Sequence, residues 1–294
     1  MEKNREISGA DFRVSHDFAD DIMTAQEYAD LTNRKLPHRY ELAKDGKALI
    51  AYGSGHFSNP DNPAFKVIAE DVKNLHPDLI LIEGLEAINT ISDEEKEAHR
   101  TNATVSAEDI LKRHGENAYL ASLAIESGIE VQSPEPSRAD LNNYALERGA
   151  TKEQIFAEEI ATLIHQYNWL TDKPSFDEYI SGWLERVKIE FGWEGFDFSM
   201  DNFKRILKES TGKEFDLEDK ETIKQCADPI PWPDQQWNGL RAAAQLRNLA
   251  RDRHIIHEIE EALKTHNKIY IVFGASHLVM LEPALRKMMD VDQE

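Results

Sequence analysis

Three runs of this chain are almost wholly apolar, β-branched or aromatic: Ala48-Leu49-Ile50-Ala51-Tyr52, Leu79-Ile80-Leu81-Ile82 and Ile269-Tyr270-Ile271-Val272-Phe273. A fourth, Ile129-Glu130-Val131-Gln132-Ser133, is shorter. Such runs, bounded by turn residues, predict strands buried on both faces, as in a parallel sheet. Asn59-Pro60-Asp61-Asn62-Pro63 supplies turn chemistry and a helix N-cap, and apolar residues at helical spacing follow from Ala64 to Val72. A longer helix is predicted from about Ser106 to Ser127, closed by Gly128. The stretch from Ala48 to Ser133 therefore reads β-α-β-α-β, a right-handed crossover pattern.

The pattern changes after residue 137. From 138 to about 230 the spacing is helical, rich in Trp, Phe and Glu, with no convincing buried strand. Trp169, Trp183 and Trp193 are expected to stitch these helices together. Ala227-Asp228-Pro229-Ile230-Pro231-Trp232-Pro233-Asp234 breaks the helical pattern. A long helix from about Gln235 to Lys264 leads into the last strand, and a final helix is predicted from about Glu282. Residues 1 to about 45 read as a polar, irregular arm with one short helix at Ala25–Asp30. The expected fold is α/β: a central, mainly parallel sheet flanked by helices, with a large helical insertion. Residues 1–137 form the first part of the core with its N-terminal arm, 138–233 the insertion or cap, and 234–294 the second part of the core.

Two of the strands end alike. Lys47 to His56 closes in Gly53-Ser54-Gly55-His56, and Lys268 to His277 closes in Gly274-Ala275-Ser276-His277. Ligands of open α/β sheets bind beyond the carboxyl ends of the strands. The matched pattern predicts that His56 and His277 face one cleft, where an imidazole serves as base, acid or metal ligand. Glu83 ends the Leu79–Ile82 run; a carboxylate there can ligate a metal, orient a histidine, act as a base or cap a helix start. On the long helix Leu249, Asp252, Ile256, Ile259 and Leu263 share a face at about 100° per residue, with Asp252 at its centre. A carboxylate in that stripe needs a partner: Arg241, Arg251 or a site histidine. Arg241, Gln245 and Asn248 continue the face backward as a polar row. Arg251 is placed to bind an anionic or carbonyl group. His254 and His257 face away from the stripe and are expected to be solvated.

Composition narrows the classes of function. The 294 residues carry 55 acidic and 34 basic side chains, a net charge of −21, which repels nucleic acid and anionic membrane surfaces. The single cysteine, Cys226, excludes an intrachain disulfide and a thiolate metal cage. The charged start lacks a signal-peptide core, and no apolar run approaches the roughly 20 residues of a membrane span, so a soluble cytoplasmic protein is expected. There is no G-x-S-x-G elbow, P-loop or H-E-x-x-H motif.

The ordered set Gly53-Ser54-Gly55-His56, Leu81-Ile82-Glu83, Arg251-Asp252 and Gly274-Ala275-Ser276-His277 resembles the superfamily that joins TraB/PrgY-like proteins, the Tiki proteases, erythromycin esterase and ChaN-type haem-binding proteins. The likeness covers residues 47–133 and 235–290. It implies an α/β core with a cleft lined by both histidines and the glutamate. Members of that superfamily include metal-dependent peptidases, a lactone-ester hydrolase and haem binders, so activity does not transfer with the fold. The expectation is a hydrolase of an ester, lactone or peptide-like bond, acting on a small-molecule or peptide substrate, with His56, Glu83, Arg251, Asp252 and His277 as its catalytic set. His56, Glu83 and His277 suit a divalent transition metal, Zn²⁺, Mn²⁺ or Fe²⁺, with an open position for water. The rival expectation is a non-enzymatic binder of haem or another small ligand in the same cleft.

Overall fold

The computed structural model describes residues 16–33, 35–55, 59, 61–84, 119–121, 123–170, 173–233 and 238–291. Two units account for them. The α/β unit comprises the described residues within Met1–Thr24, Leu31–Glu135 and Asp252–Glu294; the helical unit those within Ala25–Asp30 and Pro136–Arg251.

The α/β unit is built on five strands: β1 (His38–Lys44), β2 (Lys47–Ser54), β3 (Leu79–Ile82), β4 (Glu130–Gln132) and β5 (Lys268–Gly274). Their order in the sheet is β1-β2-β5-β3-β4. The pairs β2–β5, β5–β3 and β3–β4 are parallel, and β1 lies antiparallel on β2. The three central strands are buried almost throughout, which is why they read as continuous apolar runs.

Strand β1 corrects the irregular arm expected through residue 45. Its side chains alternate, with Tyr40 and Leu42 inward and Arg39 and Glu41 outward, as on an edge strand. The two-residue connection Asp45-Gly46 has positive φ at both positions, 53° and 82°, the conformation that tight hairpins require. An Asp-Gly pair between two alternating runs is the sequence signal for such a hairpin.

Three early helices are α1 (His16–Ala19), α2 (Ala25–Asp30) and α3 (Pro63–Leu75). Asn62 caps α3, its side-chain oxygen accepting the Ala64 N–H at 3.0 Å, with Pro63 in the first turn. Ala64, Ile68, Val72 and Leu75 of α3 join Ile50, Tyr52, Ile80, Ile82, Tyr270 and Val272 in one cluster. Leu120, Ala121 and Ala124, from the helical residues 119–121 and 123–127, complete it. This cluster covers one face of the sheet.

The helical unit contains α4 (Arg138–Glu147), α5 (Lys152–Trp169), α6 (Phe176–Phe191), α7 (Met200–Thr211) and α8 (Lys220–Ala227). Each begins with a side-chain cap from Ser137, Thr151, Ser175, Ser199 or Asp219. Around α5 pack Ile155, Phe156, Ile160, Leu163, Val187, Phe191, Phe203 and Ile206, with Trp183 and Trp193 against them. Cys226 is part of this core, and burial pushes its thiol up to about 12. Trp169's side chain lies outside the described residues.

The remaining helices are α9 (Gly239–Thr265) and α10 (Ala275–Met288). α9 is continuous, and it serves the helical unit up to Arg251 and the α/β unit from Asp252. α10 begins directly after β5, not near Glu282; Pro283, whose missing N–H suggests a helix start, lies inside it. Among the described residues no helix is long and apolar enough to cross a membrane.

Candidate active site

The site is set by how the chain leaves two neighbouring strands. After β2 the chain enters α3, on the Tyr52 face of the sheet. After β5 it enters α10, on the opposite face, where the Tyr40 hydroxyl of β1 donates to the Leu278 carbonyl at 3.3 Å. β2 and β5 are adjacent and parallel, with Gly53 opposite Phe273 and Ser54 opposite Gly274. Adjacent parallel strands whose next helices go to opposite faces form a topological switch point, and the crevice beyond their carboxyl ends is where open α/β sheets bind ligands. The two strand–glycine motifs thus end side by side, offset by one residue. His56 lies outside the described residues, so its half of the expected histidine pair has no position here.

Gly53 is required by a close approach. A Cβ at this position would stand 2.9 Å from the Ala275 Cα and 2.9 Å from the His38 carbonyl oxygen. The first turn of α10 therefore rests directly on β2 where only hydrogen fits.

His277 follows two residues after Ala275, in that first turn. Its Nδ1 is 2.7 Å from Oδ1 of Asp252 on α9. Both groups are buried, Asp252 to 2% exposure and His277 to 8%. Of the three partners anticipated for Asp252, the structure brings the site histidine. Arg241 turns elsewhere: its Nε donates to the Asp228 carbonyl at 3.1 Å and its Nη2 to the Ile230 carbonyl at 2.5 Å. The apolar stripe around Asp252 holds at Ile256, Ile259 and Leu263 but not at Leu249, which is 36% exposed. The reason is that α9 buries a different face in its first half, through Leu240, Ala243, Ala244, Arg247 and Ala250. Gln245, Asn248 and Arg251 are half-buried. His254 and His257 are half-buried as well, rather than solvated; His254 lies 3.8 Å from Glu258.

Glu83 stands beyond β3, next to β5 on the other side. Its Oε2 accepts the backbone N–H of Gly274, and its own N–H donates to the Val272 carbonyl at 3.2 Å. Gly274 is the N-cap of α10 and has no side chain with which to cap it. Glu83 supplies from a neighbouring strand the carboxylate that a helix start favours. Of the expected metal set, then, Glu83 commits one oxygen to the backbone, His277 commits Nδ1 to Asp252, and His56 is not described. Among the described residues no group of three or more His, Cys, Asp and Glu is placed to hold a metal ion.

A second buried polar system lies in the helical unit and went unread in the sequence. Arg247 of α9 is 8% exposed and its two Nη atoms bond Glu158 and Glu159 of α5. Glu159 also meets Arg138 Nε at 3.1 Å, and Arg138 meets Glu190 at 2.6 Å. Burial pushes the Glu158 carboxyl up; Arg247 pulls against that and the neighbouring Glu159 adds to it. Burial pushes the same way on Glu159, but Arg247 and Arg138 outweigh it and hold its carboxyl low. Nothing in the pattern marked it: α5 also carries Lys152, Glu153, Gln154, His165 and Gln166, so Glu158-Glu159 read as further surface charges until packing closes over them.

No family model matches this chain, and no curated protein matches it in sequence.

Proposed function

We propose that the chain is a hydrolase of an ester, lactone or peptide-like bond, with His277 as general base and Asp252 as its positioning residue. The observation that carries this reading is the buried 2.7 Å bond between Asp252 and His277 Nδ1 at the carboxyl edge of the central strands. A carboxylate on Nδ1 fixes the ring orientation and the tautomer, and stabilises the imidazolium that forms when Nε2 takes a proton from water. Water then attacks the carbonyl carbon, the carbonyl oxygen becomes an oxyanion, and the proton held on Nε2 passes to the departing alcohol or amine. Arg251, the neighbour of Asp252 on α9, is the cation assigned to the oxyanion. His56, two residues beyond Ser54, is assigned to polarise the carbonyl.

A metal-dependent form of the same reading draws on the same bond, because histidine ligands also give their second nitrogen to a carboxylate. His277 Nε2 would be the ligand contributed by α10, and a divalent metal there supplies Lewis acidity. A cytoplasmic location accompanies both forms.

The test is turnover of a panel of esters, lactones and peptides by the parent protein, His277→Ala and Asp252→Asn, each before and after chelation and metal reloading. Both variants are expected to keep the parent's far-UV spectrum and to lose about 10²–10⁴-fold in kcat. Turnover that survives in His277→Ala, or a panel on which the parent itself is inert, sinks the proposal. Loss on chelation with recovery on reloading selects the metal-dependent form.

A further inference from the structure

At the switch point of an open α/β sheet, the helix that follows a strand offers a ligand its first N–H groups and the positive end of its dipole. Anions are what such a start commonly takes. Here that helix is α10, which begins directly after β5 and whose first turn rests on β2 at Gly53. Gly274, its N-cap, brings no side chain to those N–H groups.

The charges placed there are negative. Glu83 reaches across from the end of β3, and its Oε2 accepts the Gly274 N–H. The backbone fixes where Glu83 starts from, since its own N–H donates to the Val272 carbonyl of β5 at 3.2 Å. Asp252 lies 2.7 Å from Nδ1 of His277, the third residue of α10. One carboxylate of the chain's own is thus bonded at the helix start and a second stands beside its first turn, in a chain of net charge −21. An incoming phosphate or carboxylate would compete with the first and be repelled by both.

We infer that Glu83 is a specificity-determining residue: it occupies the start of α10 as a built-in anion and so excludes anionic ligands from the crevice. The ligand class that fits is uncharged where it meets α10. Resting on the hydrolase reading, this selects a neutral ester, lactone or amide and rejects phosphoesters and substrates with a carboxylate beside the scissile bond. The exclusion itself is tested without turnover.

The probe is inorganic phosphate, titrated into the parent, Glu83→Gln and Glu83→Ala. It is read at the backbone ¹⁵N–¹H NMR signals of Gly274 and Ala275, with sodium chloride at matched ionic strength as the control for screening. Glu83→Gln keeps an acceptor oxygen and loses the charge; Glu83→Ala loses both. The parent is expected to show no saturable shift. Glu83→Ala is expected to bind phosphate at these signals at least about tenfold more tightly than any binding the parent shows, with Glu83→Gln between them. Saturable shifts in the parent overturn the inference, and so does their absence in folded Glu83→Ala. Binding in Glu83→Ala with none in Glu83→Gln overturns it too, since plain capping then explains the exclusion. If Glu83→Ala does not fold, Glu83→Gln decides alone. An inert parent sinks the hydrolase reading and leaves the phosphate result standing.

Discussion

The α/β unit and the helical unit both bury carboxylates, and they partner them differently. In the α/β unit Asp252 is matched to an imidazole, whose ring nitrogens can give or take a proton. In the helical unit Glu158 and Glu159 are matched to guanidinium groups, which stay charged at any physiological pH. The first pairing can do proton chemistry; the second can only hold a shape. The difference separates a pair able to transfer a proton from an architectural one more sharply than burial does, because Asp252, His277, Glu158, Glu159 and Arg247 are all nearly inaccessible.

That contrast has consequences of decreasing size. Arg247→Leu leaves Glu158 without its cation, and Glu159 with Arg138 alone, in the interior of the helical unit and should cost about 3–5 kcal/mol in chemical unfolding. Asp252→Asn keeps a hydrogen-bonding amide against His277 and should cost far less stability than Arg247→Leu. Equal losses in the two variants would erase the distinction between the units.

Gly53→Ala pushes a methyl group against the Ala275 and His38 backbones, which cannot swing aside as a side-chain tip does. A loss of about 1–3 kcal/mol is expected, the range for an overpacked core, read as a lower urea midpoint. The same variant should perturb the first turn of α10 and hence the His277 resonances. A neutral outcome would mean that α10 does not rest on β2 at this point.

Glu83→Ala removes the carboxylate that accepts the Gly274 N–H, a loss comparable to a deleted helix cap, about 1 kcal/mol. Glu83→Gln retains an oxygen in place and should recover most of that stability. Should Glu83→Gln instead abolish turnover at full stability, the carboxylate has a chemical task beyond capping α10.

The smallest effects lie in the pH dependence of the helical unit. Glu158 has its folded pKa raised, by burial first, so the folded state binds its proton more tightly than the unfolded chain does. Its contribution to stability therefore improves as pH falls through that raised value. Glu159 has its folded pKa lowered by Arg247 and Arg138 despite burial, so its contribution is present above the unfolded carboxylate value of about 4.3 and is lost as pH falls below it. Urea midpoints measured from neutral pH downward should show a weaker rising contribution in Glu158→Gln and a shallower acid fall in Glu159→Gln. Unchanged profiles in both variants would show that neither carboxylate is linked to folding.

Much of this protein was legible in its residues because the relevant physics is local. Three apolar runs announced buried strands, the Asn59–Pro63 stretch announced the start of α3, and the repeated strand–glycine endings pointed to one edge of the sheet. Asp252 stood out as a charge in an apolar stripe, so its need for a partner followed from desolvation alone. The identity of that partner did not. Which of Arg241, Arg251 and His277 meets Asp252 depends on where α9 and α10 lie in space, and helical periodicity is silent on that. The edge strand β1 was hidden because half its side chains face outward and are polar, although Asp45-Gly46 carried the hairpin signal. Arg247 and Glu158-Glu159 were hidden because a charged residue reads as surface until tertiary packing closes over it. Sequence determined the elements and the residues capable of chemistry; the fold decided which of them meet, since contacts between helices far apart in the chain are set by packing and not by spacing.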